Sequence, residues 1–416
     1  MLSPMSLEKQ YEQAAADELR VLVVGAGIAG VTAAQLLRRD GRHPVVIERA
    51  ESAPAQGYML ALMPMVDAAL DDLGVRGAYR AASVPLKRYA VHGHAGRPLR
   101  EDSTVDLMSR YGDYRGIARG RLIEVMTGDG CPVTYDSVVT GMGETSEGVD
   151  VRVSSHGIVH DLHFDLVIIA DGMHSKTRDF VLGGQPVEWV DTRWGGWVVW
   201  TPDDGDSDLG EELWGAGITV AMYPVADALG VFLGGPREDT AVGAAAFVAS
   251  MRRTLKTVTP RLNRAMAAVA TDPDPYYWAL KDCRAPRWVT ERTVLLGDAA
   301  AGFLPTAGVG AGMAMESAWV LSRMLRHTPG IALGDLLRGY ERGQRPRVEA
   351  AQDNSRQLAK LMFRRSRTLA VARELAMRVM SVEMALRPIQ RLLQEQPDPE
   401  ALVDGVRGTS VRSDAL

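Results

Sequence analysis

The chain has 416 residues, of which 46% are hydrophobic and 24% are charged, and its formal net charge is −5. This globular composition comes at a length where one core usually stops growing, so two closely packed domains are expected. The charge balance excludes the basic excess typical of nucleic-acid-binding proteins, and no apolar run is long enough to span a membrane.

The cysteine content gives little sign of metal or disulfide chemistry. Cys131 and Cys283 are far apart and match no metal or redox spacing, so no metal site is expected. The N-terminal residues are acidic and lack the apolar segment of a signal peptide. We therefore expect a cytoplasmic protein with reduced cysteines, and the sequence leaves its oligomeric state open.

The first elements form a compact βαβ unit. Residues 1–18 indicate a polar helix or a frayed extension, and 19–24 form a short buried strand. A glycine-rich turn leads into a helix over 31–38, and a second strand over 44–47 ends at Glu48. This order and length are typical of a nucleotide-binding unit.

The glycine-rich turn has the spacing of a dinucleotide fingerprint. Gly25 permits the tight turn, Gly27 lets the backbone approach a pyrophosphate, and Gly30 lets helix and strand pack closely. The helix N-terminus then offers free N–H groups to the phosphates. Glu48 stands 23 residues after Gly25, where an acid can bind a ribose hydroxyl. The motif alone does not distinguish NAD from FAD.

Two later strands are each followed by an acidic residue. A helix over 119–126 precedes an antiparallel meander, and the buried strand 166–170 ends in Asp171 and Gly172. An acid at the carboxyl end of a buried strand lies where open α/β sheets bind ligands, although Asp-Gly is also ordinary turn chemistry. The strand 293–297 ends in the same way at Asp298.

The remaining segments differ in character. Residues 186–282 are rich in tryptophan and strand-like runs, with a helix near 241–256, which predicts a second domain built on a sheet. A glycine-rich run over 305–312 then opens a helix over 311–326. The predicted division is 1–18 as an N-terminal extension, 19–185 and 283–330 as the nucleotide-binding domain, 186–282 as the sheet domain, 331–396 as C-terminal helices and 397–416 as a flexible tail.

In three places a buried strand leads into a glycine-rich turn or an acidic residue suited to ligand binding. With these three sites in this order, the chain resembles the FAD-dependent aromatic hydroxylases of the para-hydroxybenzoate hydroxylase type, the group A flavoprotein monooxygenases. The resemblance covers residues 19–330, and its anchors are GAGIAG, Glu48-Arg49, Arg119 with Leu122, DGMHSKTR and GDAAAGFLPTAGVG. It implies an α/β fold: a Rossmann-like FAD-binding domain with an inserted mixed β-sheet substrate domain and C-terminal helices.

The resemblance also implies the contacts of FAD. Different motif residues would contact each part of FAD: the pyrophosphate, the adenosine, the phosphate–ribityl region and the isoalloxazine. The implied residues are Gly25, Gly27, Ala29 and Gly30 at the pyrophosphate, Glu48, Arg49 and Val139 at the adenosine, Arg119, Gly297 and Asp298 along the ribityl chain, Asp171 and Gly172 toward both FAD and NAD(P)H, and Pro305, Gly308, Val309 and Gly310 at the isoalloxazine.

The implied reaction is a hydroxylation. NADPH or NADH reduces FAD, O2 adds at flavin C4a to give a hydroperoxide, and one oxygen atom passes to an aromatic or polyketide-like small molecule of secondary metabolism or aromatic catabolism. No side chain is assigned a catalytic role. The aromatic and thioether side chains expected to form the walls of the substrate pocket are Trp197, Trp200, Met222, Tyr223, Phe232 and Phe303.

One departure from the family pattern concerns the pocket. Many members carry a histidine directly after Gly-Asp-Ala-Ala, and here that position is Ala301. Substrates of better-known members therefore do not transfer, and NADH is not distinguished from NADPH. The alternatives left open are Baeyer–Villiger or epoxidising chemistry, halogenation, an FAD-dependent reductase or saturase, and a non-catalytic nucleotide-binding protein.

Overall fold

The computed structural model describes residues 1–52, 57–203, 205–326, 331–379 and 382–413. The predicted domain boundary at residue 330 and the last three residues of the predicted tail lie outside the described residues. No helix of the described residues is long and apolar enough to cross a membrane.

The strands are short in the nucleotide-binding part and long in the second sheet. In chain order they are β1 (Leu2–Pro4), β2 (Val21–Val24), β3 (Val45–Ile47), β4 (Met59–Leu62), β5 (Val84–Pro85), β6 (Arg88–His92), β7 (Pro98–Ser103), β8 (Arg115–Ala118), β9 (Cys131–Val133), β10 (Ser137–Glu144), β11 (Val149–Ser155), β12 (Ile158–Phe164), β13 (Leu166–Ile169), β14 (Glu188–Pro202), β15 (Leu209–Trp214), β16 (Thr219–Val225), β17 (Ala228–Pro236), β18 (Tyr276–Arg284), β19 (Thr293–Leu295) and β20 (Ala301–Gly302).

The helices concentrate at the C-terminal end of the chain. In order they are α1 (Leu7–Ala14), α2 (Ile28–Arg39), α3 (Asp67–Asp72), α4 (Arg76–Ala81), α5 (Val105–Met108), α6 (Arg119–Met126), α7 (Asp179–Leu182), α8 (Arg237–Thr240), α9 (Ala244–Thr254), α10 (Pro260–Thr271), α11 (Gly310–Arg326), α12 (Leu333–Met362), α13 (Arg367–Val379), α14 (Val382–Gln394) and α15 (Pro399–Ser413).

A four-stranded parallel sheet forms the centre of the nucleotide-binding part, in the order β19-β13-β2-β3. Its register aligns Leu295, Ile169, Val24 and Ile47, the last residues of the four strands. The strands are buried, and their β-branched residues fit that environment. All four carboxyl ends therefore meet at one edge, as the sequence motifs predict.

The second sheet has eight strands in the order β20-β18-β14-β17-β16-β15-β6-β7. Its strands pair antiparallel except β15 and β6, which run parallel, so the predicted mixed sheet is confirmed. Helices α9 and α10 cover one face, where Phe247 and Met266 are buried. On the other face Phe232 packs in a cluster with Leu304, which directly precedes Pro305.

This sheet draws on more of the chain than 186–282. Strands β6 and β7 lie within 19–185, and β20 lies within 283–330, yet all three belong to it. The pairing of Glu212 with Val91 joins segments far apart in sequence. Local patterns carry no information about such a pairing, and the sequence predicts loops and short helices over 50–110, where the structure has β6 and β7.

The N-terminal segment and the C-terminal helix α15 both pack against the rest of the fold, which the sequence does not predict. Strand β1 pairs with β9, and Leu7 of α1 is buried in the main core. The prediction of a flexible tail over 397–416 is wrong for its described part, because α15 packs on α12. A Cβ at Gly339 would lie 2.3 Å from Val406 Cγ2, and one at Gly343 would lie 2.5 Å from Leu402 Cδ2. The two glycines thus form the groove that receives this helix.

Candidate functional site

The turn between β2 and α2 admits only glycine at two positions. Gly25 has φ +104°, and a Cβ there would lie 2.5 Å from the carbonyl oxygen of Ala170. A Cβ on Gly30 would lie 1.9 Å from the Gly25 oxygen. Gly27 is different: it begins α2 without a side-chain cap, and its Cβ would meet nothing within 4 Å. The free N–H groups of α2 therefore face open space suited to an anion.

Glu48 closes one side of this turn. Its Oε2 accepts a hydrogen bond from the Ala26 N–H at 2.9 Å, and its Oε1 accepts one from the Ala50 N–H at 3.0 Å. The half-buried carboxylate therefore lies beside the glycine turn, next to exposed Arg49, while Val139 is half-buried on β10. The predicted contacts of these three residues with an adenosine stay predictions.

Asp298 follows β19 at the same edge of the sheet. Burial raises the pKa of its carboxyl to about 6, against the positive charge of Arg119. Within the described residues this carboxylate has no hydrogen-bond partner. Arg119 begins α6, and its N–H donates to the Tyr58 carbonyl at 2.9 Å. Burial, together with the Asp298 charge, raises the pKa of Tyr58 to about 12, and the Arg119 charge acts against that shift.

Asp171 is a second acidic residue whose carboxylate is only partly hydrogen-bonded. Burial raises its pKa, opposed by hydrogen bonds from Ser175 and Thr177. Its Oδ1 is buried and has no hydrogen-bond partner in the described part of the chain. A buried carboxylate oxygen without a donor is costly, so a bound group that donates to it would stabilise this edge. Gly172, the next residue, is half-buried there.

The first turn of α11 lies at the same edge of the parallel sheet. A Cβ on Gly312 would lie 2.5 Å from Met65 Sδ, and one on Gly297 would lie 2.7 Å from Ala29 Cβ. These small residues therefore let α11, the Gly297 turn and α2 approach one another closely. Thr306 fixes the preceding segment, because its hydroxyl donates to the Ser355 carbonyl at 2.7 Å. The helix thus begins beside the space bordered by Asp298.

The residues at this edge fit FAD. Open space lies before α2 for a pyrophosphate, two incompletely partnered carboxylates can accept hydroxyl groups, and the α11 N-terminus can meet the electron-rich end of a flavin. The structure brings together the predicted residues on these loops, which are Gly25, Gly27, Ala29, Gly30, Glu48, Arg119, Asp171, Gly172, Gly297, Asp298, Pro305, Gly308, Val309 and Gly310.

The structure distributes the residues of the predicted substrate pocket over both faces of the second sheet and the core of the nucleotide-binding part. Trp197 and Met222 are buried under α9 and α10 with Phe247, on the face turned away from the cofactor edge. Phe303 packs in the core of the nucleotide-binding part, next to Gly310. Side chains alternate along a strand, so Trp197 and Trp200 cannot share a face. The sequence predicts both among the walls of one pocket.

The other three predicted pocket residues lie on the face turned toward the cofactor edge. Phe232 belongs to the cluster that contains Leu304. Trp200 donates from Nε1 to the Gly57 carbonyl at 3.0 Å, and Tyr223 donates its hydroxyl to Glu212 at 2.7 Å. Sequence reasoning missed Glu212 and Tyr58. The alternation of β15 was the available signal for Glu212, since it separates this acid from Glu211.

Comparisons with known proteins identify the family of this chain. The family model described as FAD binding domain matches residues 18–355. The 3-amino-4-hydroxybenzoate 2-monooxygenase of Streptomyces cremeus is 30% identical over 363 residues, which cover 82% of this chain and 87% of the relative. An FAD-dependent urate hydroxylase of Klebsiella pneumoniae subsp. pneumoniae is 28% identical, with coverage of 79% and 87%.

Solved structures share the whole architecture. Klebsiella pneumoniae HpxO, complexed with FAD and uric acid, superimposes with a TM-score of 0.79 at 25% identity. The match covers 93% of this chain and 99% of that chain. The likeness therefore extends over the parallel sheet, the second sheet and the C-terminal helices together.

Proposed function

This chain belongs to the FAD binding domain family and is an FAD-dependent monooxygenase, and from that premise we propose that it hydroxylates a small aromatic molecule. The observation that carries the proposal is the convergence at one sheet edge of Gly27, Asp171 and Asp298, opposite the aromatic face of the second sheet. Cofactor and substrate would meet between these two surfaces.

We propose that FAD lies along the edge with its pyrophosphate before α2 and its flavin near Pro305 to Gly310. When bound, FAD would carry electrons from NAD(P)H to O2, so that one oxygen atom of O2 passes to the substrate and the other leaves as water. Asp298 would accept hydrogen bonds from the ribityl hydroxyl groups, and Glu48 would accept one from the adenosine ribose. The N–H groups at the start of α11 would hold the electron-rich end of the flavin and stabilise negative charge there.

The chain also contributes exclusion of water. Leu304, Phe232 and Tyr58 pack in one apolar cluster between the cofactor edge and the second sheet. A dry pocket protects reactive oxygen species from wasteful side reactions with water. It also strengthens the interactions that orient the substrate, because the local dielectric constant is low.

The relatives support a small aromatic substrate. Two are named for 3-amino-4-hydroxybenzoate and for urate, both planar molecules of one or two rings. A cytoplasmic location is part of the proposal, since the reaction consumes NAD(P)H. The free cysteines Cys131 and Cys283, both buried, are compatible with a reducing compartment.

The test is the visible spectrum of the purified protein, followed by anaerobic additions of NADPH and NADH with and without aromatic compounds. A flavin spectrum that bleaches faster with one compound present supports the proposal. Mass spectrometry under isotopically heavy O2 should then find one labelled oxygen atom in the product. A protein that is colourless and takes up no added FAD would contradict the proposal.

A further inference from the structure

One carboxylate stands in the middle of the sheet face that looks toward the cofactor edge. The register places Glu212 of β15 opposite Ala221, and Ala221 opposite Phe232. Residues paired across neighbouring strands point to the same face, so these side chains form one row. Ala221 and Phe232 belong to the cluster that contains Leu304. The row therefore runs beneath the proposed flavin position.

The middle of this row is open. Strand β16 is an interior strand with partners on both sides, yet Ala221 remains half-buried. Met222, its neighbour on the opposite face, is only 1% exposed. A partly exposed methyl group thus lies between a carboxylate and a phenyl ring.

Glu212 is held in place by neutral donors. Its Oε2 accepts from the Trp214 Nε1–H at 2.6 Å and from the Tyr89 hydroxyl at 2.9 Å, and its Oε1 accepts from the Tyr223 hydroxyl at 2.7 Å. A carboxylate can accept about four hydrogen bonds, so Oε1 retains capacity for a further donor. Burial raises the pKa of Glu212, and the three donors act against that shift.

Glu211, the preceding residue of β15, has the basic partners expected of a buried structural carboxylate. Glu211 points to the opposite face, where it pairs with His92 at 3.0 Å and with Arg261 at 3.6 Å. Glu212 has no ion pair within the described residues. A buried carboxylate without a cation is costly, which makes a substrate donor the natural partner for its charge.

We propose that Glu212 binds a hydrogen-bond donor of the aromatic substrate, an amino or hydroxyl group, and that it selects against a carboxylate at that position. This inference rests on the proposed hydroxylase function and names the substrate class of the same site. A second anionic group would meet the Glu212 charge across a dry pocket, where like charges repel strongly. A donor would instead form a charge-assisted hydrogen bond.

Three ligands of equal size test the selectivity: meta-hydroxybenzylamine, meta-hydroxybenzyl alcohol and meta-hydroxybenzoate. Binding is measured by isothermal calorimetry on the FAD-loaded protein and by the change in the flavin spectrum. We expect the amine and the alcohol to bind at least about tenfold more tightly than the benzoate, as one charge-assisted hydrogen bond allows. Equal or tighter binding of the benzoate would overturn the inference, as would failure of all three to bind.

The variant Glu212→Gln keeps the size of the side chain and removes its charge. We expect it to weaken binding of the amine by about tenfold, and thereby to reduce the ratio between amine and benzoate affinities. Glu211→Gln is the matched control, because its side chain lies on the opposite face. It should leave that ratio unchanged even if it lowers stability. An unchanged ratio in Glu212→Gln would refute a role in selectivity.

The two proposals fail separately. If the protein takes up no FAD, the hydroxylase proposal fails, and calorimetry on the FAD-free protein still measures whether Glu212 controls the ratio. If FAD and NAD(P)H react as expected but Glu212→Gln binds the three ligands as the natural chain does, only the substrate inference fails.

Discussion

The ring of Tyr58 packs against the indole of Trp278, with centroids 5.3 Å apart and planes inclined by 33°. Tyr58 leads into β4 and accepts the Arg119 N–H, whereas Trp278 belongs to β18 of the second sheet. This contact therefore joins the cofactor edge to the aromatic face. It lies beside Asp298, whose charge contributes to the raised pKa of Tyr58.

The Asp298 carboxylate should be needed for FAD binding. We expect Asp298→Ala to weaken FAD affinity by about tenfold or more, because a hydrogen bond to a charged group contributes about 1.5–3 kcal/mol. FAD content after gel filtration and fluorescence titration of the FAD-free protein measure the effect. The exposed Asp161 on β12 offers the control variant Asp161→Ala. Full FAD occupancy in Asp298→Ala would show that the carboxylate is misassigned.

Two glycines of the same turn should respond differently. A side chain at Gly27 meets open space, so Gly27→Val should fold but lose FAD, because the valine occupies the pyrophosphate position. A side chain at Gly30 meets the Gly25 carbonyl, so Gly30→Val should fail to fold or lose much of its stability. Circular dichroism and bound FAD separate the two effects. A Gly27→Val protein with normal FAD content would contradict the proposed pyrophosphate position before α2.

The buried charge of Asp298 should make the FAD-free protein sensitive to pH. Its folded pKa of about 6 lies above the usual value of 3.8, so the folded state binds more protons than the unfolded state between these values. Stability from this group is therefore present at low pH and is lost as pH rises through about 6.

The variant Asp298→Asn removes that titration. We expect it to raise the Tm of the FAD-free protein at neutral pH by about 2 °C or more, and to leave the Tm below the pKa nearly unchanged. Differential scanning calorimetry across this pH range makes the measurement. If the difference between the two proteins did not change with pH, the Asp298 carboxyl would not be buried as described.

The two faces of the second sheet should separate stability from substrate binding. Trp197→Phe removes volume under α9 and α10, so it should lower stability by about 1–3 kcal/mol and leave the KM for an aromatic substrate unchanged. Phe232→Ala lies in the open row, so it should raise the KM by about tenfold or more. Urea unfolding and steady-state kinetics are the two measurements. A raised KM in Trp197→Phe alone would reverse the assignment of the faces.

Much of the cofactor site could be predicted because its signals are local. Gly25, Gly27 and Gly30 stand in one short motif at the start of α2, and Asp171 and Asp298 each stand within three residues of the end of a buried strand. Parallel strands bring their carboxyl ends to one edge, so identifying each strand was enough to place its last residue. The fold class followed from the same pattern.

The sequence by itself thus determined the cofactor edge, the mixed sheet and the helical C-terminal part. Only the tertiary structure decided that β6 pairs with β15 and that α15 lies in the groove at Gly339. It also decided that Glu212 shares a sheet face with Phe232 while Trp197 lies on the opposite face. These facts depend on which face of a strand or helix another segment covers. That choice is made by packing between segments distant in the chain, and a local pattern does not record it.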